Sequence, residues 1–170
     1  MMLKNLKIVC SGEGGVGKTT LLNRYISGEF KPNFKMTKGI EFFNKIIDIN
    51  GIFYNLIIWD FAGQDQFRDI LSDFVRGSIG ALLLFDMTRF YTLERIEEWI
   101  KMLSLYGNIP ILIIGSKYDL IHDNDPNFLD NYVSKIMNKY KYCFAYVKTS
   151  AKNGYNVKKS FDLLLEKIIG

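Results

Sequence analysis

Cysteine and histidine are scarce in this chain, with two cysteines and one histidine among 170 residues. So few ligands exclude a disulfide-stapled scaffold and a clustered zinc site. Cys10 and Cys143 both lie inside apolar runs and read as buried thiols. His122 stands alone in the polar run His122-Asp123-Asn124-Asp125, an exposed loop too short for an EF-hand. Only three prolines occur, Pro32, Pro110 and Pro126, at places that read as loops or strand starts. Long apolar stretches are missing too. Ala81–Phe85 and Ile109–Ile114 fall far short of the ~20 residues that cross a bilayer. Met1-Met2-Leu3-Lys4-Asn5 lacks the layout of a secretory signal, and Lys167-Ile168-Ile169-Gly170 offers no cysteine to prenylate. No lipid anchor is therefore expected within this sequence.

What is present is an ordinary globular composition, 48% hydrophobic and 24% charged, which excludes a disordered or collagen-like chain. At this length a core can form without covalent help. The net charge of +4 gathers in lysines from Lys135 onward, opposed by Asp162 and Glu166. No basic-aromatic motif accompanies it, so a solvated surface is expected and nucleic acid is not. The phenylalanines and tyrosines are expected mainly on core faces.

The order of elements is informative. Leu6–Ser11 is a short apolar run ending in glycines, a buried strand leading into a tight loop. From Lys18, the residues Leu21, Leu22, Tyr25 and Ile26 recur at helical spacing and stop before Gly28. Phe42–Ile49 and Ile52–Trp59 flank Asn50-Gly51, a hairpin signal. The pattern then predicts a helix near Phe67–Arg76, a strand Ala81–Asp86, a helix Leu93–Tyr106 and a strand Ile111–Ser116. A helix Phe128–Tyr140, a strand Cys143–Thr149 and a helix Val157–Ile169 complete it. Apart from the hairpin, strands and helices alternate, which predicts an α/β fold with parallel strands and helices on both faces. Ligands of such sheets bind at the carboxyl ends of the strands.

Directly after the first strand stands Gly12-Glu13-Gly14-Gly15-Val16-Gly17-Lys18-Thr19, a full match to G-x-x-x-x-G-K-[ST]. Glycines let successive N–H groups turn toward phosphate oxygens, Lys18 adds a point charge, and the helix beginning there contributes its positive dipole end. The Thr19 hydroxyl is a hard oxygen suited to Mg²⁺. The strand Ile52–Trp59 runs into Asp60-Phe61-Ala62-Gly63-Gln64. Asp60 is placed to hold Mg²⁺ through water, Gly63 to bring an N–H to a γ-phosphate, and Gln64 to orient an attacking water.

Trp59-Asp60-Phe61-Ala62-Gly63-Gln64-Asp65-Gln66-Phe67-Arg68 is similar to the Rab pattern W-D-T-A-G-Q-E-R-F-R. Thr37-Lys38-Gly39-Ile40-Glu41-Phe42 resembles the T-I-G-V-[DE]-F of a Rab first switch. With the Asp86-Met87-Thr88 segment and Trp99, these motifs make the chain resemble a Ras-superfamily small GTPase, most closely the Rab branch, from about Leu3 to Ile169. The resemblance implies one G domain over residues 1–170, a three-layer P-loop NTPase fold with a mostly parallel six-stranded sheet and one antiparallel hairpin strand. It implies a GTP/GDP-binding switch needing Mg²⁺, slow intrinsic hydrolysis, a first switch near residues 30–42 and a second near 61–76. It further implies a monomer that meets activating, exchange and effector proteins through the switches, in the cytoplasm or peripherally on membranes.

Residue by residue, nucleotide binding would fall to Glu13, Gly14, Gly15, Val16, Gly17, Lys18, Thr19 and Thr20, with Gly63 at the γ-phosphate. Phe30 would pack on the base edge and Phe34 would lie over the phosphates. Thr37 would complete a Mg²⁺ shell with Thr19 and Asp60, and Gln64 is the catalytic candidate. Gly14 matches the glycine that leaves room for a partner's arginine. Gly115-Ser116-Lys117-Tyr118-Asp119 and Thr149-Ser150-Ala151-Lys152 would read the base. Asp119 would accept from guanine N1 and N2, Lys117 would lie along the ring with its ammonium tied to the phosphate loop, and the Ala151 N–H would meet O6.

Three positions depart from the pattern. Ser116 replaces an asparagine that both braces the phosphate loop and reaches guanine N7, so lower guanine affinity is expected, by ~1 kcal/mol. Lys38 puts a charge where Rab proteins are apolar, and Phe61 replaces a threonine. A P-loop kinase would share the phosphate loop but needs a lid with arginines, and Arg24, Arg68, Arg76, Arg89 and Arg95 show no cluster in the sequence. A nucleotide-bound module with little turnover is the third reading, motivated by Ser116 and Phe61.

Overall fold

The computed structural model describes residues 3–32, 38–122 and 126–170. Strand β1 (Lys4–Gly12) leads into helix α1 (Lys18–Ser27), and β2 (Ile40–Ile49) turns back into β3 (Ile52–Phe61). A 3₁₀ turn at Asp65–Phe67 opens α2 (Arg68–Val75), followed by β4 (Gly80–Asp86), α3 (Phe90–Glu94) and α4 (Ile96–Leu103). Then come β5 (Ile111–Ser116), a 3₁₀ turn at Tyr118–Leu120, α5 (Pro126–Lys139), β6 (Cys143–Lys148) and α6 (Val157–Ile169). The strands form one sheet in the order β2-β3-β1-β4-β5-β6, with β2 antiparallel to β3 and the other neighbours parallel. This is the mostly parallel α/β sheet that the alternation of elements predicts.

Alternation along the central strands builds two cores. Ile8, Cys10, Leu82, Leu84, Leu112 and Ile114 point to one face, where α1 and α6 cover them with Leu21, Leu22, Phe161 and Leu164. Their neighbours Val9, Ala81, Leu83, Phe85, Ile111 and Ile113 point to the other, under α2, α4 and α5. A strand buried on both faces needs an unbroken apolar run, which is why these segments lack polar alternation. Both cysteines are buried and unpaired. At the hairpin, Asn50 and Gly51 hold φ of 54° and 80°, the left-handed pair that a two-residue turn requires.

Several boundaries differ from the sequence pattern. The predicted helix Leu93–Tyr106 begins three residues earlier and is divided at Arg95 into α3 and α4. It stops at Leu103 because Leu105 and Tyr106, exposed to 62% and 48%, have no core face to meet. Pro126 opens α5, where its fixed φ and missing N–H suit the first helical position. The aromatic expectation holds for the larger part: among the described residues Phe61, Phe85, Phe161 and Tyr54 are buried and Tyr25, Phe43, Phe74, Tyr132 and Tyr146 pack against the two cores, whereas Phe42, Phe90, Phe128, Tyr91 and Tyr155 are exposed. No helix among the described residues is long and apolar enough to cross a membrane.

Register decides where the loops meet. Cys10 pairs with Asp60, Gly12 with Leu84, Asp86 with Ser116 and Gly115 with Lys148. Antiparallel β2 begins opposite the end of β3, with Ile40 beside Phe61. Residues that follow five separate strands, and the segment that precedes β2, thus arrive at one rim.

Candidate functional site

That rim encloses a cavity of about 510 Å³, lined by Gly14–Leu21, Phe30, Pro32, Ala62, Gly63, Ser116, Lys117, Asp119, Leu120, Thr149, Ala151 and Lys152. The structure therefore gathers most of the sequence-predicted residues, from positions as distant as Gly14 and Lys152, around one space. Phe34 and Thr37 lie outside the described residues.

The loop between β1 and α1 is held by its carbonyls. Lys18 Nζ donates to Gly12 O at 2.9 Å and to Glu13 O at 2.8 Å. Arg89 Nη2 donates to Gly14 O at 2.9 Å, and Lys117 Nζ to Gly15 O at 3.0 Å. The Ser116 hydroxyl donates to Val16 O at 2.6 Å, and the Leu21 N–H to Gly17 O at 2.9 Å. Gly12, at φ 140°, has no room for a side chain, since a Cβ there would lie 2.3 Å from Leu84 O. Burial lowers the Lys18 ammonium from its ordinary range, with the nearby Asp60 carboxylate pulling the other way.

Two predicted contributors do not face the cavity with their side chains. Glu13 turns away from it: its Oε1 accepts the indole N–H of Trp99 at 2.9 Å and lies 3.6 Å from Arg95 Nε. Only the main chain of Glu13 belongs to the loop. Gln64 Oε1 accepts from Gln66 Nε2 at 3.1 Å, outside the cavity lining. Gly63 is packed on the loop itself, because a Cβ there would come within 2.2 Å of Glu13 C and Gly14 N.

At the end of β3, Asp60 is fully buried, and its Oδ2 accepts the Thr19 hydroxyl at 2.5 Å. Its Oδ1 is buried without a hydrogen-bond partner among the described residues. Burial pushes the Asp60 carboxyl up to about 6, against the pull of the Thr19 hydroxyl and of Lys18. A buried carboxylate with an open lone pair beside a hydroxyl is a hard-oxygen pair matched to Mg²⁺, which takes one or two carboxylates and keeps its waters. The residues fit that ion.

The loops after β5 and β6, which the sequence pattern expects to read the base, are fixed from below. Lys117 occupies the left-handed region at φ 61°. Asp119 Oδ1 accepts the hydroxyl of the buried Ser150 at 2.7 Å, so Ser150 positions the carboxylate and does not line the cavity. The Tyr118 N–H donates to Thr149 O at 3.0 Å and the Thr149 N–H to Gly115 O at 2.8 Å, tying the two loops together. Ser116 keeps one of the two tasks of the asparagine it replaces, the brace on the phosphate loop. Phe61 is 1% exposed and packs against Phe74 with ring centroids 5.9 Å apart. It anchors the start of the second switch in the core, which accounts for the aromatic ring there.

Sequence reasoning missed Asp86, Arg89 and Arg95. Asp86, 1% exposed at the end of β4, receives Lys117 Nζ at 2.7 Å and Arg89 Nε at 3.1 Å on Oδ2, and Thr88 on Oδ1. Burial works against its charge, but the bonds from Lys117 and Thr88 outweigh it and hold the carboxyl below the ordinary range. Arg95, at the break between α3 and α4, reaches Glu13 and Asp65 at 3.6 Å each and Glu98 at 2.9 Å. The arginines that look dispersed in the sequence thus converge on the loop, two of them at once. Their spacing carried no signal, because it is the register of β4 beside β1, with Gly12 opposite Leu84, that brings them to the loop.

Comparison with known proteins agrees with this geometry. The Ras family profile matches residues 7–170. Ras-related protein YPTC6 of Chlamydomonas reinhardtii is 37% identical over 164 residues, spanning 95% of this chain and 74% of its own length. Ras-related proteins RABA2a and RABA1g of Arabidopsis thaliana are 36% and 37% identical over the same shares. A nucleotide-sized cavity on a phosphate loop, a carboxylate–hydroxyl pair suited to Mg²⁺, and likeness along nearly the whole chain converge: this protein belongs to the Ras family, with Rab-type relatives, and is a Mg²⁺-dependent switch that binds and hydrolyses GTP.

Proposed function

We propose the following division of labour within this switch. The main-chain N–H groups of residues 13–19 and the Lys18 ammonium hold the β- and γ-phosphates. Asp119, steadied by Ser150, takes the guanine N1 and N2 donors, Ala151 meets O6, and Lys117 and Lys152 line the base. Phe30, 38% exposed at the cavity edge, covers the base from outside. Thr19 and Thr37 would hold Mg²⁺ directly and Asp60 through a water, and the ion would neutralise charge on the phosphate oxygens. Gln64 turns from Gln66 toward the cavity and orients a water, whose oxygen attacks the γ-phosphorus. The bond to the β–γ bridging oxygen breaks, leaving GDP and phosphate. The observation that supports this reading most is the shared cavity of the phosphate loop and the base-reading loops.

Intrinsic turnover is slow in this reading. Both arginines that reach the loop are committed to protein partners, Arg89 to Asp86 and Gly14, Arg95 to Glu13 and Glu98. An arginine from an activating partner would enter beside Gly14 and stabilise the transferring phosphate. Effectors and exchange factors read the switches, and a row of rings there, with Phe42 exposed and Trp59 and Phe74 half-buried, supports such docking. Phe42, 58% exposed, meets Trp59 edge-on at 4.8 Å, and Trp59 meets Phe74 at 5.1 Å. The protein acts as a monomer in the cytoplasm or peripherally on a membrane, by analogy with Rab proteins.

Phosphate release from purified protein, with GTP and ATP compared, tests the reading. Release from GTP alone is expected, release from ATP alone would make the protein a kinase-like ATP user, and release from neither would make it a binding module. Gln64→Leu is expected to slow single-turnover GTP hydrolysis at least ~10-fold with nucleotide binding intact. An unchanged rate would remove Gln64 from its role.

A further inference from the structure

The carbonyl groups of the phosphate loop are taken up one after another by different side chains. Lys18 takes those of Gly12 and Glu13, Lys117 that of Gly15, and Ser116 that of Val16. The carbonyl of Gly14, between them, is taken by Arg89. In a trans peptide the C=O and the next N–H point in opposite directions. Holding a carbonyl outward therefore aims the following N–H inward. Lys117 and Ser116 orient the N–H groups of Val16 and Gly17 in this way, and Arg89 orients that of Gly15.

We infer that Arg89, held by Asp86, is a positioning residue for nucleotide retention that fixes the Gly14–Gly15 peptide with its N–H toward the phosphates. An exposed Arg–Asp pair three residues apart contributes little by itself. This pair differs in two respects. Asp86 is buried, and it gathers the two cations that brace successive carbonyls, Arg89 on Gly14 and Lys117 on Gly15. The rigid guanidinium fork also reaches both partners at once, Nε on Asp86 and Nη2 on Gly14, which a lysine cannot do. Thr92 fixes the segment from behind, its hydroxyl accepting the Asp86 N–H at 2.9 Å and lying 2.8 Å from Arg89 O. The contact spans 75 residues of sequence and ties β4 to the phosphate loop.

The inference rests on the phosphate-loop reading above, and the test separates the two. Wild type, Arg89→Met and Arg89→Lys are loaded with a fluorescent GDP analogue in the presence of Mg²⁺. Release into excess GDP is followed, beside single-turnover hydrolysis of preloaded GTP. Because Arg89 is half exposed, Arg89→Met is expected to release the analogue about 10-fold faster and Arg89→Lys about threefold faster. Hydrolysis of the preloaded GTP should fall less than threefold. Release by Arg89→Met within twofold of wild type overturns the inference while leaving the phosphate loop in place. So does unchanged release with hydrolysis slowed 10-fold or more, which would put the guanidinium on the transferring phosphate. If Arg89→Met melts below the assay temperature, Arg89→Lys decides, and a wild-type release rate from it overturns the inference. Failure of wild type to retain the analogue removes the phosphate-loop reading and this inference together.

Discussion

Asp119→Asn is expected to turn the protein from guanine to xanthine nucleotides. Guanine presents two adjacent donors, N1–H and N2–H, to a carboxylate that accepts with both oxygens. Asparagine offers one acceptor and one donor, which suits xanthine, where an oxygen replaces the exocyclic amine. The Asp119 carboxylate does not swing freely, because the buried Ser150 hydroxyl donates to its Oδ1 at 2.7 Å. Asparagine can keep that bond through its own oxygen, so the side chain should stay in place while its recognition edge changes. A site built on paired hydrogen bonds rejects a mismatch strongly, since a buried polar group is left without its partner. GTP affinity should fall ~1,000-fold and XTP should become the preferred ligand. Competition of GTP and XTP against a fluorescent GDP analogue reads this directly. A variant that still prefers GTP would mean that the base is read elsewhere.

Gly63→Ala carries the second large effect. Gly63 has ordinary backbone torsions, so the obstacle is space and not strain. The added methyl would sit 2.2 Å from Glu13 C and Gly14 N and 2.5 Å from Gly12 O, and main-chain atoms cannot step aside as a flexible side chain can. The second switch must then lift off the phosphate loop, taking the Gly63 N–H and the adjoining Gln64 with it. A displacement of about 1 Å at a reacting centre costs roughly 100-fold in rate. Single-turnover GTP hydrolysis should fall by about that factor, with GDP affinity changed far less. Gly51→Ala is the control. That glycine sits at the hairpin tip with φ 80° and open space around it, so its substitution strains the turn without touching the site. It should lower stability by ~1 kcal/mol and leave hydrolysis unchanged. Equal rates for Gly63→Ala and wild type would show that the contact with the phosphate loop is not needed for turnover.

Much of the fold was legible because it rests on local signals. Asn50-Gly51 marked the hairpin, the glycine-lysine-threonine pattern placed the phosphate loop before α1, and Val157–Ile169 matched α6 residue for residue. The failures were of another kind. Helical spacing over Leu93–Tyr106 did not reveal the break at Arg95, where the side chain turns to partners in the phosphate loop and the second switch. Most of the described phenylalanines and tyrosines do lie in or against a core, yet Phe42, Phe90 and Phe128 are exposed. Periodicity reports one face of an element and is blind to whether anything covers it.

The amino-acid sequence by itself determined the chemistry on offer and the order in which it is strung: a glycine-rich phosphate loop after the first strand, a carboxylate and a glutamine after the third, and the residues proposed to read the base after the fifth and sixth. It could do so because each motif is a run of neighbouring residues whose spacing is the signal. Only the tertiary structure decided that Arg89, 75 residues away, holds the Gly14 carbonyl beside the braces expected from Lys117 and position 116. It also decided that Glu13 faces Trp99 and Arg95, and that Phe61 roots the second switch in the core. The reason is physical. Such contacts depend on strand register, which sets Asp86 beside Ser116 and Gly12 beside Leu84, and register is settled by the packing of two apolar faces at once.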